Sequence, residues 1–197
     1  MNRILKHTNE SGRSMVEMLG VLAIVGVLSI GGIAGYSKAM AKFKVNKTLD
    51  QISMIITNVR TTFGNQSSYD GLNNANAIAY EIVGNDINQD GTLKNAFNGN
   101  VLINAVCEDG TYCPEFIIVY SGLEKSACAT IASSDWGGSA ASGLVSMTIG
   151  ATGEDGAIEA EGIEGEEYTW EDDTLPIAYK DAFTACEGAD AIQWKYN

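Results

Sequence analysis

Residues 18–36 of this 197-residue chain form an unbroken run of 19 uncharged residues, and the only charge within 14–37 is Glu17. As a helix the run is about 28 Å long at 1.5 Å per residue, close to the roughly 30 Å of bilayer hydrocarbon. It is therefore expected to cross a membrane. Its glycines at 20, 26, 31, 32 and 35 weaken a helix in water but let helices pack closely in lipid. Two simpler readings compete with this one. A secretory signal would use Arg3 and Lys6 as its basic flank and a cut at 37–39, but its apolar region would exceed the ~7–15 residues usual for such signals and would open with an acid. The other is an uncut signal anchor.

An ionisable residue near the bilayer centre costs roughly 2.5–3.5 kcal/mol on insertion scales and persists because it has a partner. Glu17 therefore needs a cation. Arg13, four residues earlier, offers an intrahelical pair worth about 0.2–0.5 kcal/mol on an exposed helix. A free amino terminus supplied by another chain is the stronger solution.

Charge is divided along the chain. Residues 1–60 hold eight of the twelve basic residues against three acids, for a net of +5, whereas 61–197 carry −18. A total of −13 argues against direct bulk nucleic-acid binding, which rests on Lys and Arg neutralising phosphates. With 45% hydrophobic and 19% charged residues the chain has the means to bury a core. The one histidine, His7, precedes the apolar run, so Ser-His-Asp, Cys-His and histidine-zinc chemistry find no residues to use in the rest of the chain. A carboxylate enzyme would need two acids at a defined separation in a pocket, and no motif nominates them. The chain is not expected to be an enzyme.

After residue 36 the pattern becomes one-sided. Val45, Leu49, Ile52, Ile56, Val59 and Phe63 recur at steps of three and four, the stripe of an amphipathic helix. One helix is expected over about 15–63, its first half in lipid (about 15–37) and its second half (about 38–63) carrying a domain. Lys38, Lys42, Lys44 and Lys47 open that second half, as a solvated face or as contacts to lipid headgroups.

All four cysteines, Cys107, Cys113, Cys128 and Cys186, lie beyond the apolar run, which favours a disulfide-permitting compartment. Three pairings are open. The preferred one joins Cys107 to Cys113 across a tight turn between strands and Cys128 to Cys186 around a long C-terminal loop. The remainder reads as a polar loop over 64–76, a short helix around 75–82, turns over 84–99, strands at 101–106 and 115–120 bridged by a hairpin at 108–112, a helix over 122–132 and strands at 144–149 and 191–196. This is an α+β domain over 64–197.

Two acidic features stand out. Asp86, Asn88 and Asp90, followed by Gly91, set oxygen ligands at positions 1, 3, 5 and a glycine at 6, as a calcium loop does, but position 12 is Phe97 where a bidentate Glu belongs. The same residues favour a turn without any ion. Asp70 and Glu81 are further donors for a different site. No cofactor is otherwise expected. Between 154 and 173 ten acids stand among glycines with no basic residue, a composition expected to form a solvated, mobile loop, with a divalent-ion surface or an outer filament face as alternatives. Trp136 and Trp170 are either a contact surface or partly buried.

The segment Gly12-Arg13-Ser14-Met15-Val16-Glu17-Met18-Leu19, with the apolar run behind it, resembles the class III signal of type IV prepilins. The resemblance implies a prepilin-peptidase cut between Gly12 and Arg13, a cytoplasmic leader of residues 1–12, and Glu17 at position +5 of the mature chain, paired with the Arg13 amine of a neighbouring subunit. Arg13 stands where the family usually has Phe, Met or Leu, and Ala34 where many members have proline. Asn95-Ala96-Phe97-Asn98-Gly99-Asn100, the run 116–123 ahead of Cys128, and Ala185-Cys186 before the last strand resemble landmarks of the type IVb pilins, notably the thin-pilus group. They also imply the Cys128–Cys186 clasp. The family's fold is a long N-terminal helix packed on a C-terminal antiparallel sheet. Its function is that of a structural subunit of a helical homo-oligomeric filament, serving adhesion, conjugation or surface contact. Its partners are prepilin peptidase and an inner-membrane assembly platform, and its location is the inner membrane and then an extracellular pilus of a Gram-negative bacterium. The alternative within the same resemblance is a minor pilin or a type II secretion pseudopilin, whose main members commonly bind calcium.

Overall fold

The computed structural model describes residues 15–108, 110, 112–137 and 142–197. The chain divides into two compact units, the first ending at Ala41 and the second spanning Lys42–Asn197. Helix α1 (Met15–Phe63) contributes to both. In the first unit residues 15–39 are exposed throughout, and the helix is long and apolar enough to cross a membrane by length and composition.

In the second unit α1 changes character. Thr48, Gln51, Ile52, Ile55, Val59 and Phe63 are buried, with Val45, Leu49 and Ile56 partly so. The buried stripe is centred nearer Ile52 and Ile55 than the sequence pattern suggests, because it includes the polar Thr48 and Gln51, which hydropathy does not mark.

The main sheet is antiparallel, in the order β3-β4-β7-β5-β6, built from β3 (Val101–Glu108), β4 (Tyr112–Tyr120), β5 (Leu144–Gly150), β6 (Gly165–Thr169) and β7 (Ala191–Tyr196). Alternation sorts the side chains into two layers. Phe116, Ile118 and Tyr120 of β4, with Ile192, Trp194 and Tyr196 of β7, join the core that α1 enters, so the long helix packs on the sheet. Ile117 and Val119 of β4 and Ala191 of β7 face the other way. Strand β4 is thus buried on both faces, which is why 116–120 is a continuous apolar run rather than an alternating one.

The second face is covered by the β5–β6 connection. Residues 151–164 fold back across the sheet as a strap, with Ile158 and Ile163 packed on Ile117, Val119 and Ala191. The β3 edge is closed by side-chain bonding rather than by a further strand. Asn74, at the start of α2 (Asn74–Ala79), accepts from the Ile103 amide at 2.7 Å and donates to the Val101 carbonyl at 2.9 Å, while the Ala105 amide donates to the Leu72 carbonyl at 3.0 Å. This protects an otherwise open strand from pairing with another chain.

Four elements differ from the sequence reading. β1 (Asn88–Gln89) and β2 (Thr92–Leu93) make a minimal hairpin within the expected turn region. β6 lies inside the acidic run, where a loop is expected. It reads as loop because only Tyr168 of its five residues is buried, too little for a two-residue period. Helix α4 (Tyr179–Ala185) has no side-chain cap at Ala178 and buries only Ala182, so neither capping nor amphipathic signals announce it. Helix α3 (Lys125–Ala132) lies within the expected 122–132 segment.

Candidate functional site

Glu17 lies on α1, and it is exposed. Gly12 and Arg13, the residues of the proposed cleavage and of the charge pair, lie outside the described residues. Around Glu17 the helix presents Met15, Val16, Met18, Leu19, Val21 and Leu22, each between 45% and 82% exposed. A methyl group built on Gly20, Gly26, Gly31, Gly32 or Gly35 meets nothing within 4 Å, so these positions leave open, shallow surface on the helix.

The four cysteines form two bridges. Cys107–Cys113 closes the end of the β3–β4 hairpin, and Cys128–Cys186 ties α3 to the residue following α4, 58 positions along the chain. Both sulfurs of the second bridge belong to buried residues.

The calcium candidates are engaged elsewhere. Asp90 and Gly91, at φ 52° and 86°, are the two central residues of the β1–β2 hairpin, the geometry of a type I′ turn that an Asp-Gly pair favours. The Asn88 side-chain oxygen accepts from the Gly91 amide at 3.0 Å. Asp86 Oδ2 accepts from Gln51 Nε2 at 2.7 Å and meets Lys47 Nζ at 3.2 Å. Partial burial raises the carboxyl's affinity for its proton, but the Gln51 hydrogen bond and the Lys47 ammonium outweigh it and hold Asp86 below its usual value. The spacing that resembles a calcium loop is therefore a hairpin sequence plus an anchor to α1. Asn58 Nδ2 adds a second anchor by donating to the Ile82 carbonyl at 2.8 Å. Among the described residues no group of three or more His, Cys, Asp or Glu side chains, Asp70 and Glu81 included, is placed to hold a metal.

The acidic run, expected to be a loop, carries hydrogen-bonded structure. Asn100 Nδ2 donates to the Gly156 carbonyl at 2.7 Å, Asn104 Nδ2 to the Ala160 carbonyl at 2.9 Å, and the Ile163 amide donates to Gln193 Oε1 at 3.0 Å. These three latches fix the strap, and β6 continues it into the sheet. The sequence signal for this was Ile158 and Ile163, apolar residues within an acidic segment. Trp136 and Trp170 are partly buried against the main core, Trp136 lying 4.9 Å from the Trp194 ring and donating to the Ile131 carbonyl at 2.9 Å.

Residues 42–195 match the family model described as PilS N terminal, and the chain belongs to that family. Two solved structures are similar. The type IV b pilin from Salmonella typhi is 15% identical, with a TM-score of 0.48 over 77% of this chain and 97% of that one. TcpA, a type IV pilin from the Vibrio cholerae El Tor biotype, is 14% identical, with a TM-score of 0.44 over 78% and 97%. No curated protein sequence matches the chain.

Proposed function

We propose that this chain is a type IVb-like pilin, a structural subunit that assembles through the first half of α1 after prepilin peptidase removes residues 1–12. The observation that carries the proposal is the exposed apolar surface of residues 15–36, which buries nothing within the chain and is interrupted by a single acid. In the precursor that surface is solvated by inner-membrane lipid. In the filament it is covered by the same helices of neighbouring copies, with the glycine positions giving close approach. Glu17 then meets the amine of Arg13 from a neighbour. Desolvation offsets much of the Coulomb gain of such a buried pair, so its main effect is to fix the axial register. The remaining residues, 64–197 with the second half of α1 beneath them, face outward on an extracellular pilus of a Gram-negative bacterium, where they serve adhesion, conjugation or another surface contact. An inner-membrane assembly platform supplies the subunits.

N-terminal sequencing of the protein recovered from shear-released filaments tests the processing step. A start at Arg13 is expected. A start near Met40 indicates ordinary secretion, and an uncut Met1 a plain anchor. Glu17→Ala is expected to be processed normally while filament yield collapses. Abundant filaments from that variant would remove the register role.

A further inference from the structure

We propose that β6 presents an open sheet edge whose matching partner is β6 of a second copy, and that Glu166 is the residue that blocks this pairing. The main sheet has β3 at one edge and β6 at the other. Asn74 and Leu72 bond the outward groups of β3 at Val101, Ile103 and Ala105. At β6 only the last residue is covered. The Thr169 amide donates to Thr174 Oγ1 at 2.7 Å, and the Thr169 carbonyl accepts from the Thr174 and Leu175 amides, both at 3.1 Å. The main chain of Thr169 therefore points away from β5.

Main-chain groups alternate in direction along a strand, which fixes the rest of β6. Glu166 and Tyr168 turn their amides and carbonyls to Ile149 and Met147 of β5, and Gly165 and Glu167 turn theirs outward. The far end of β5 agrees, because the Gly150 carbonyl, opposite Gly165, accepts from the Asp190 amide at 3.1 Å on the β7 side. Among the described residues the outward groups of Gly165 and Glu167 have no hydrogen-bond partner within the chain, and Gly165, Glu166 and Glu167 are all exposed. An edge of this kind is a template for another strand.

The free groups select one antiparallel register. All of them are satisfied when Gly165 meets Glu167 of the second copy and Glu167 meets Gly165 of the second copy. Centring the pair on Glu167 instead sets Gly165 against Thr169, whose groups are already used. In the selected register Glu166 stands directly across from Glu166 of the second copy. It is a non-hydrogen-bonded pair, with Cα atoms about 4.5 Å apart and side chains at their closest. Like charges in that position destabilise the pairing, and among the described residues Glu166 has no ion pair to offset its charge. The pairing is isologous and closes a dimer. A closed dimer has no place in an open helical array, a consequence that alone rests on the pilus reading.

The test uses the full chain in non-ionic detergent, with micelles in excess over chains so that the apolar helices stay apart, and reads dimer formation by sedimentation. Glu166→Gln is expected to raise the association constant about tenfold or more over the unsubstituted chain. Glu167→Gln removes the same charge but faces Gly165, and is expected to change little. Glu166→Lys alone is expected to stay monomeric, because like charges meet again, whereas its equimolar mixture with the unsubstituted chain pairs. Where Glu166→Gln fails to accumulate, Glu166→Thr takes its place. No rise from the position-166 variant, an equal rise from Glu167→Gln, or pairing by Glu166→Lys alone overturns the proposal. So does a mixture that fails to pair. Register is read separately: Glu166→Cys should give an intermolecular disulfide on oxidation, and its absence overturns the assigned pairing. None of these outcomes touches the pilus reading, which the N-terminal start and the Glu17→Ala filaments decide.

Discussion

Gly162 stands at φ 104° where the strap crosses β7, and a Cβ placed there falls on the Gln193 side-chain oxygen that accepts from the neighbouring Ile163 amide. Substitution by alanine therefore carries two costs, a left-handed backbone for a residue with a side chain and the displacement of one strap latch. Gly162→Ala is expected to destabilise by about 1–3 kcal/mol in urea unfolding and to make the strap more sensitive to protease. Gly153→Ala serves as the control, because its backbone is extended and its Cβ makes ordinary contact with the Ala157 carbonyl at 3.5 Å, so little change is expected. Asp86 gives a second residue-scale prediction. Its folded carboxyl binds a proton less readily than the unfolded one, so the unfolded state takes up protons first as pH falls. The stabilisation is fully present above about pH 4, the range of an unperturbed Asp, and is lost as pH drops through the lower folded value. Asp86→Asn should flatten the stability profile below about pH 4 and leave a small, nearly constant deficit above it, since the Lys47 pair is partly exposed and screened.

The two disulfides differ as elements because they close loops of different length. In the chain-entropy account, joining residues 58 apart stabilises by about 4 kcal/mol and joining residues 6 apart by about 2 kcal/mol. Replacing Cys128 and Cys186 together by alanine should therefore lower the melting temperature more than replacing Cys107 and Cys113, measured on the full chain in detergent. A reversed order would show that the α3–α4 region holds together without its bridge. What could be read beforehand follows the same division. α1, β3, β4, β5 and β7 announce themselves through long apolar periods or runs, and hydrophobic burial is what forms them. β6 and α4 bury one residue or one small side chain each, Tyr168 and Ala182 respectively, and exist because β5 and the Cys128–Cys186 bridge give them something to lie against. Stabilisation supplied by a distant partner leaves no local period. The latches of the strap are hidden from the sequence for a related reason. Its ten-acid composition resembles a solvated loop, while the groups that hold it, Asn100, Asn104 and Gln193, are 30 to 56 positions away. Asp86, Asn88 and Asp90 show the opposite error, a local spacing that suggests a ligand set although the oxygens of Asp86 and Asn88 are used by the fold.

At the scale of the whole molecule, apolar surface is divided between two tasks. Among the described residues, every fully buried core residue lies at position 48 or beyond, whereas thirteen of the nineteen large apolar residues that remain exposed lie within 15–36. The core therefore contains nothing from the first unit, and the first unit carries most of the surface that would drive association in water. Residues 42–197 also carry a net charge of −15, enough to keep separate copies apart in solution. A chain beginning at Lys42 is accordingly expected to be soluble and monomeric by sedimentation, to form both disulfides, and to melt within a few degrees of the full chain in detergent, because no core contact has been removed. The loss of the apolar helix should at the same time abolish filament formation. If the shortened chain instead aggregates or fails to fold, the apolar half of α1 contributes to the stability of the domain, and assembly cannot be its only work.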